Sequence, residues 1–194
     1  MGVNLIPNKS DHYSQVNNEL NPFSACQCTV ATMALDCIDK GIRTLQLLYK
    51  YNQPEDNLYW YIENTPEVME FCIRSHGPNW NEIVDHPAEW ADVKCFAINR
   101  IYGRKRAYFD ADLTMEKIKY DLNEGIPVSV SMKYPSIPGH YVLVVGYRDD
   151  GCLIINDPYR NTLKGKDFPD GFNCIYTPDE FAAHHKKYGV RFLK

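Results

Sequence analysis

Asn21-Pro22-Phe23-Ser24-Ala25-Cys26-Gln27-Cys28-Thr29-Val30-Ala31-Thr32-Met33-Ala34-Leu35 joins a polar, loop-like approach to an apolar helix. Val30, Ala31, Met33, Ala34, Cys37 and Ile38 recur at three- and four-residue spacing, the mark of a helix with a buried face. The polar segment stops at Cys28, so the pattern predicts a cysteine in the first turn of a buried helix. Free backbone N–H groups and the positive end of the helix dipole lie there, and both favour a thiolate over a thiol. Free cysteine is also among the most buried residue types and often only packs. Position alone therefore leaves Cys28 open as either a nucleophile or a core residue.

Downstream of this helix, Gly41 marks its end and Thr44 to Tyr51 reads as a second helix, with Pro54 as an interruption. Asn57 to Ile62 reads as helical. Thr65-Pro66-Glu67 has the cap, first-turn proline and acidic residue of a helix start, and Gly77 ends that helix. Asn79 to His86 and Pro87 to about Val93 read as short helices, and a strand is expected somewhere within Ala97 to Phe109. The second half changes character. Thr114 caps a helix that ends at Gly125, and Ile126 to Met132 reads as a strand. Tyr134 to Gly139 reads as a loop. His140 to Tyr147 holds the run Tyr141-Val142-Leu143-Val144-Val145 of a buried central strand. Asp149-Asp150-Gly151 is a hairpin turn, Cys152 to Ile155 the returning strand, Phe168 to Gly171 a turn and Asn173 to Tyr176 another strand. Thr177-Pro178-Asp179-Glu180 is a capping box, and Val190 to Leu193 a last strand. Helices first and strands after predict an α+β fold in which the first helix packs on a later antiparallel sheet, as one domain over residues 1–194.

The bulk numbers narrow the function classes. The chain has 194 residues, 44% hydrophobic and 24% charged, ordinary for a globular protein. A net charge of −4 provides no basic field, so no nucleic-acid partner is expected, and Arg104-Lys105-Arg106 reads as a solvated turn. No run of 18 apolar residues exists, so no membrane span is expected. The N-terminus lacks the charged start and apolar core of a signal peptide, and the seven cysteines are scattered and odd in number. Both point to reduced thiols and a cytoplasmic location. Cys26-Gln27-Cys28 is too tight for the usual zinc pair and no second pair follows, so no metal or other cofactor is expected.

A thiolate nucleophile needs a base, and the base needs an orienting partner. Among six histidines, His140 stands where the chain enters a buried strand after Pro138-Gly139. One hairpin later Asp157 returns to the same end of the sheet, where a carboxylate fixes an imidazole's tautomer and stabilises its cation. Counting through the turn leaves His140 and Asp157 three or four residues out of register, which a bulge or a bend after Ile155 must absorb. Gln15, upstream of the cysteine, supplies a side-chain amide for a developing oxyanion, with the Cys28 backbone N–H as second donor.

The order Gln15, Cys28, Gly139-His140-Tyr141-Val142 through Gly146-Tyr147, and Asn156-Asp157-Pro158-Tyr159 resembles the bacteriocin-processing (double-glycine-peptidase-like) cysteine peptidases and their stand-alone relatives. Asn123-Glu124-Gly125-Ile126-Pro127-Val128 resembles the strand entry of that family. The resemblance spans about residue 13 to about 160. It implies a papain-like fold and a cysteine peptidase with Cys28 as nucleophile, His140 as base, Asp157 as its orienting partner and Gln15 at the oxyanion. Cys26 is the rival nucleophile; Ala31, Thr32 and the helix spacing fit Cys28. The implied substrates are leader peptides or the peptide cross-links of bacterial cell walls, as cut by phage lysins, which are released from the cell. A transglutaminase-like acyl transferase and a catalytically silent peptide-binding module are the competing functions. The sequence gives no oligomeric state.

Overall fold

The computed structural model describes residues 3–5, 13–39, 50–83, 89–135, 137–165 and 170–194. The expected helix at 44–51 and the turn at 168–171 lie largely outside these residues. Strand β1 (Val3–Leu5) and a 3-10 turn (Gln15–Asn17) precede helix α1 (Cys26–Asp39). Then come α2 (Pro54–Asn64), α3 (Pro66–His76), α4 (Trp80–Ile83), α5 (Ala91–Tyr102), β2 (Ala107–Asp110) and α6 (Met115–Asn123). Strands β3 (Val128–Tyr134), β4 (Ile137–Arg148), β5 (Leu153–Asn156) and β6 (Cys174–Tyr176), helix α7 (Pro178–His184) and β7 (His185–Phe192) complete the fold. It is α+β: the strands form one antiparallel sheet in the order β2-β7-β3-β4-β5-β6, with β1 added on β4.

Helix α1 packs on β4 and β3, and its residues from Thr29 to Leu35 are wholly buried. Its two buried threonines satisfy their hydroxyls inside the helix: Thr29 Oγ1 donates to the Ala25 carbonyl (3.0 Å) and Thr32 Oγ1 to that of Cys28 (2.8 Å). The helix starts at Cys26, two residues before the expected start at Cys28. Asn21 makes the turn that starts it, accepting from Ser24 N on its side chain (3.1 Å) and from Ala25 N on its carbonyl (3.0 Å). Cys26, Gln27 and Cys28 therefore all lie in the first turn of α1.

Other boundaries correct the sequence expectations for local reasons. Pro54 opens α2 rather than interrupting a helix, because a proline at the first helical position needs no N–H. Among the described residues of the Pro87–Val93 and Ala97–Phe109 stretches, Ala91–Tyr102 form one helix, α5, and the strand is Ala107–Asp110. Asn99 turns the chain between them, accepting from Arg106 N and Ala107 N and donating to the Ala107 carbonyl. Arg106 is not part of a solvated turn: it is fully buried, pairs with Asp39 and lies 5.1 Å from the Tyr102 ring centroid. Strand β4 begins at Ile137, so Ile137 to Gly139 belong to the strand and not to a loop. The last strand is longer than expected and lies between β2 and β3. Gly189 permits that: a Cβ there would sit 2.1 Å from the Ser129 carbonyl oxygen.

Loop 18–22, which feeds α1, is held by α2. Asp56, fully buried, accepts from Glu19 N (2.9 Å) and Leu20 N (3.3 Å). Its neighbour Glu55 is equally buried, and its carboxyl oxygens have no hydrogen-bond partner among the described residues. Burial pushes the Glu55 carboxyl up to about 7, with its own backbone amide opposing and Asp56 reinforcing. A raised carboxyl binds its proton more tightly in the folded state, so its contribution is full below pH about 4.5 and fades as the pH rises to about 7. Glu55→Gln is therefore expected to stabilise the protein at pH 8 by up to about 3 kcal/mol and to have little effect at pH 4. Urea unfolding at the two pH values checks this; an equal effect at both contradicts it.

Candidate active site

His140 sits on β4 opposite Met132 of β3, and its ring is 2% exposed. Its Nε2 lies 2.7 Å from Asp157 Oδ1. The register that brings them together differs from a simple count. A bulge on β4 between Val144 and Gly146 removes one residue of offset, and the ladder runs Leu143↔Asn156. Continued by one step, Asp157 falls opposite Val142, two residues from His140, and its side chain spans the rest.

Asp157 is fixed before the histidine meets it. Oδ1 accepts from Tyr159 N (3.0 Å) and Arg160 N (3.4 Å), and Oδ2 from Thr162 N (3.1 Å). Its own N–H donates to the Gly171 carbonyl at 2.8 Å. Burial works against its charge, but the His140 hydrogen bond and these amides hold the carboxyl below its ordinary value.

The sulfur that meets His140 is that of Cys26. The two side chains are coupled, each favouring the other's charge, while His140 Nε2 is bonded to Asp157. Burial opposes both charges. Pairing overcomes it: His140 lowers the Cys26 thiol, and Asp157 first, then Cys26, raises the His140 imidazolium to about 10. The first turn of α1 adds its dipole on the same side. The sequence-stated nucleophile, Cys28, does not face this site. It is fully buried, does not line the cleft, and burial pushes its thiol up to about 12. Two residues along a helix rotate a side chain by about 200°, so Cys26 and Cys28 look in nearly opposite directions. Among the described residues, no group of three or more His, Cys, Asp and Glu side chains is arranged to hold a metal ion.

Gln15 lies in the 3-10 turn at the cleft edge and is 3% exposed. Its backbone N–H donates to the Pro158 carbonyl (2.7 Å) and its Nε2 to the Pro22 carbonyl (3.0 Å). It thus ties the loop after Asp157 to the loop before Cys26, and keeps one Nε2 hydrogen beyond the Pro22 bond.

These groups lie in a cleft of about 920 Å³. Glu89, Trp90, Asp92, Tyr159, Arg160 and Lys186 also line it, as does the exposed Phe23. His76 Nε2 lies 2.8 Å from Asp92 Oδ2, and the His76 and Trp90 ring centroids are 3.8 Å apart. Of the aromatic residues in 55–110, Trp90 and Phe109 reach the cleft, while Phe71 and Phe96 stack on each other at 4.4 Å. The sequence reading missed Gln27, His76, Asp92 and Lys186, none of which stands in a motif. No described helix is long and apolar enough to cross a membrane.

A family model described as "Peptidase_C39 like family" matches residues 8–170. No curated protein matches the chain.

Proposed function

Because the chain belongs to the Peptidase_C39-like family and is a cysteine-type peptidase, we propose that it hydrolyses peptide bonds with Cys26 as nucleophile, His140 as acid and base, Asp157 as the orienting carboxylate and Gln15 as an oxyanion donor. The observation that carries this is that His140, bonded to the Asp157 carboxylate at 2.7 Å, lines the cleft together with Cys26 and lowers its thiol. The Cys26 thiolate attacks the carbonyl carbon, and the carbonyl oxygen takes the charge. A free Nε2 hydrogen of Gln15 and the Cys26 backbone N–H stabilise that oxyanion. The His140 imidazolium gives its proton to the leaving nitrogen, the C–N bond breaks and a thioester remains. Water then gives a proton to His140 and attacks the thioester. The C–S bond breaks, releasing the acid and restoring the thiolate.

The lining of the cleft supports a reading of the substrate class. The carboxylates of Glu89 and Asp92 and the cations of Arg160 and Lys186 line the cleft, and Trp90, Tyr159 and Phe23 provide apolar surface. This suits a short peptide with both a free amine and a free carboxylate, as the stem peptides of cell walls have, and favours the wall-cutting, lysin-like role over cleavage of leader peptides. The test is release of new amino groups from purified cell wall and from leader-bearing peptides, by the wild type and Cys26→Ala. Release from wall peptides by the wild type alone supports the proposal. Transfer of the acyl group to an added amine in place of hydrolysis points to an acyl transferase. Binding without cleavage points to a silent module. Gln15→Leu is expected to lower kcat by about 10²–10³-fold with KM little changed, the signature of a donor that acts on the oxyanion. A loss confined to KM contradicts that role.

A further inference from the structure

Lys94 of α5 is fully buried, and no carboxylate pairs with it among the described residues. A buried ammonium is costly unless partners offset its desolvation. Here Nζ donates to Gln27 Oε1 at 3.0 Å and lies 4.8 Å from the Tyr141 ring centroid. Gln27 directly follows Cys26, lines the cleft, and through its Nε2 donates to the Glu89 carbonyl ahead of α5. The amide of Gln27 is thus held at both ends, and one of those ends is a buried cation.

We propose that Lys94 is a positioning residue for the reaction: it locks Gln27 and, with it, the first turn of α1, and adds a second positive charge that favours the Cys26 thiolate. The inference rests on the assignment of Cys26 as nucleophile.

The groups around this cluster are few. Cys26 is faced by His140 of β4, with Asp157 behind it, and by Lys94. Lys94 is faced by Cys26 and Cys28 of α1, by Cys95 of its own helix and by Tyr141 of β4. Cys28 and Cys95 are pushed up to about 12 and Tyr141 higher still, all chiefly by burial, so these three stay neutral across the working pH range. Glu55 and Glu63 of α2 act on Cys28. The charged groups beside Cys26 are therefore His140 and Lys94. Lys94 alone does not make a reactive thiolate: Cys28 feels it too but has no imidazole. Burial lowers Lys94, and a thiolate at Cys26 opposes that, so each charge supports the other.

The test is the pH dependence of iodoacetamide alkylation at Cys26 in the wild type, Lys94→Met and Lys94→Arg. In Lys94→Met the midpoint is expected to rise by about one pH unit, slowing alkylation about tenfold well below the wild-type midpoint while leaving the plateau rate at high pH within about threefold. Lys94→Arg restores most of the shift. A folded Lys94→Met protein with an unchanged midpoint overturns the inference and leaves Lys94 a packing residue. Should Lys94→Met not fold, the reciprocal measurement uses the wild type, with its lysine ammonium nitrogens followed by NMR. Alkylating Cys26 must lower the Lys94 midpoint, and no change overturns the inference. Label on a different cysteine refutes the nucleophile assignment instead, so the two failures are distinct.

Discussion

Cys26→Ala is expected to lower kcat at least about 10⁴-fold, whereas Cys28→Ala keeps kcat/KM within about threefold of the wild type. Both cysteines lie in the first turn of α1, but only Cys26 lines the cleft and meets His140. Cys28 is a core residue, fully enclosed and without an imidazole. Removing its sulfur leaves a small void and is expected to cost about 1 kcal/mol of stability. The two variants thus separate chemistry from packing: one is inactive and stable, the other active and slightly less stable. Steady-state kinetics and urea midpoints measured side by side check the pair, and loss of activity in Cys28→Ala contradicts the assignment.

Asp157→Asn carries the second large effect. The substitution keeps the shape but removes the charge that holds His140 Nε2 at 2.7 Å. A fall in kcat of about 10²–10⁴-fold is expected, because the imidazolium loses its counter-charge and its fixed orientation. The alkaline limb of the pH profile should also move down. The His140 midpoint, raised to about 10, rests in part on Asp157, so without it the imidazolium is lost at lower pH. The stability effect has its own window. His140, with a raised midpoint, contributes fully below its unfolded value of about 6.5 and loses that contribution as the pH rises through about 10. Asp157, with a lowered midpoint, contributes above its unfolded value of about 3.9 and loses that as the pH falls. Asn should therefore cost most between about pH 4 and 6.5, on the order of 3–5 kcal/mol for one removed partner of a buried pair. A uniform cost across pH, or an unmoved alkaline limb, contradicts the account.

The second half of the chain was the more legible. The apolar run 141–145, the Asp150-Gly151 turn and the Thr177 capping box are local signals, and each stands where local chemistry puts it. The approach of His140 to Asp157 was legible as a requirement and not as a distance, because the bulge between Val144 and Gly146 leaves no mark in an unbroken apolar run. The helix that bears the proposed nucleophile shows the limit more sharply. Its periodicity starts at Val30, but its first turn is polar and is started by Asn21 from a loop, so the apolar pattern placed the start two residues late and selected Cys28. Lys94 was illegible for another reason: a buried lysine on an ordinary helix has no sequence signal, and its partners come from α1 and β4. The central place of β7 depends on long-range pairing with β2 and β3, which no local pattern encodes.

The most direct measurement is to treat the native wild-type protein briefly with substoichiometric iodoacetamide at pH 6 and map the label by peptide mass spectrometry. Lowered by His140, Cys26 should carry nearly all of the label, with Cys28 unmodified until the protein is unfolded. Label on Cys28, or spread evenly over Cys26, Cys28 and the partly exposed Cys152, contradicts a thiolate–imidazolium pair at Cys26 and His140.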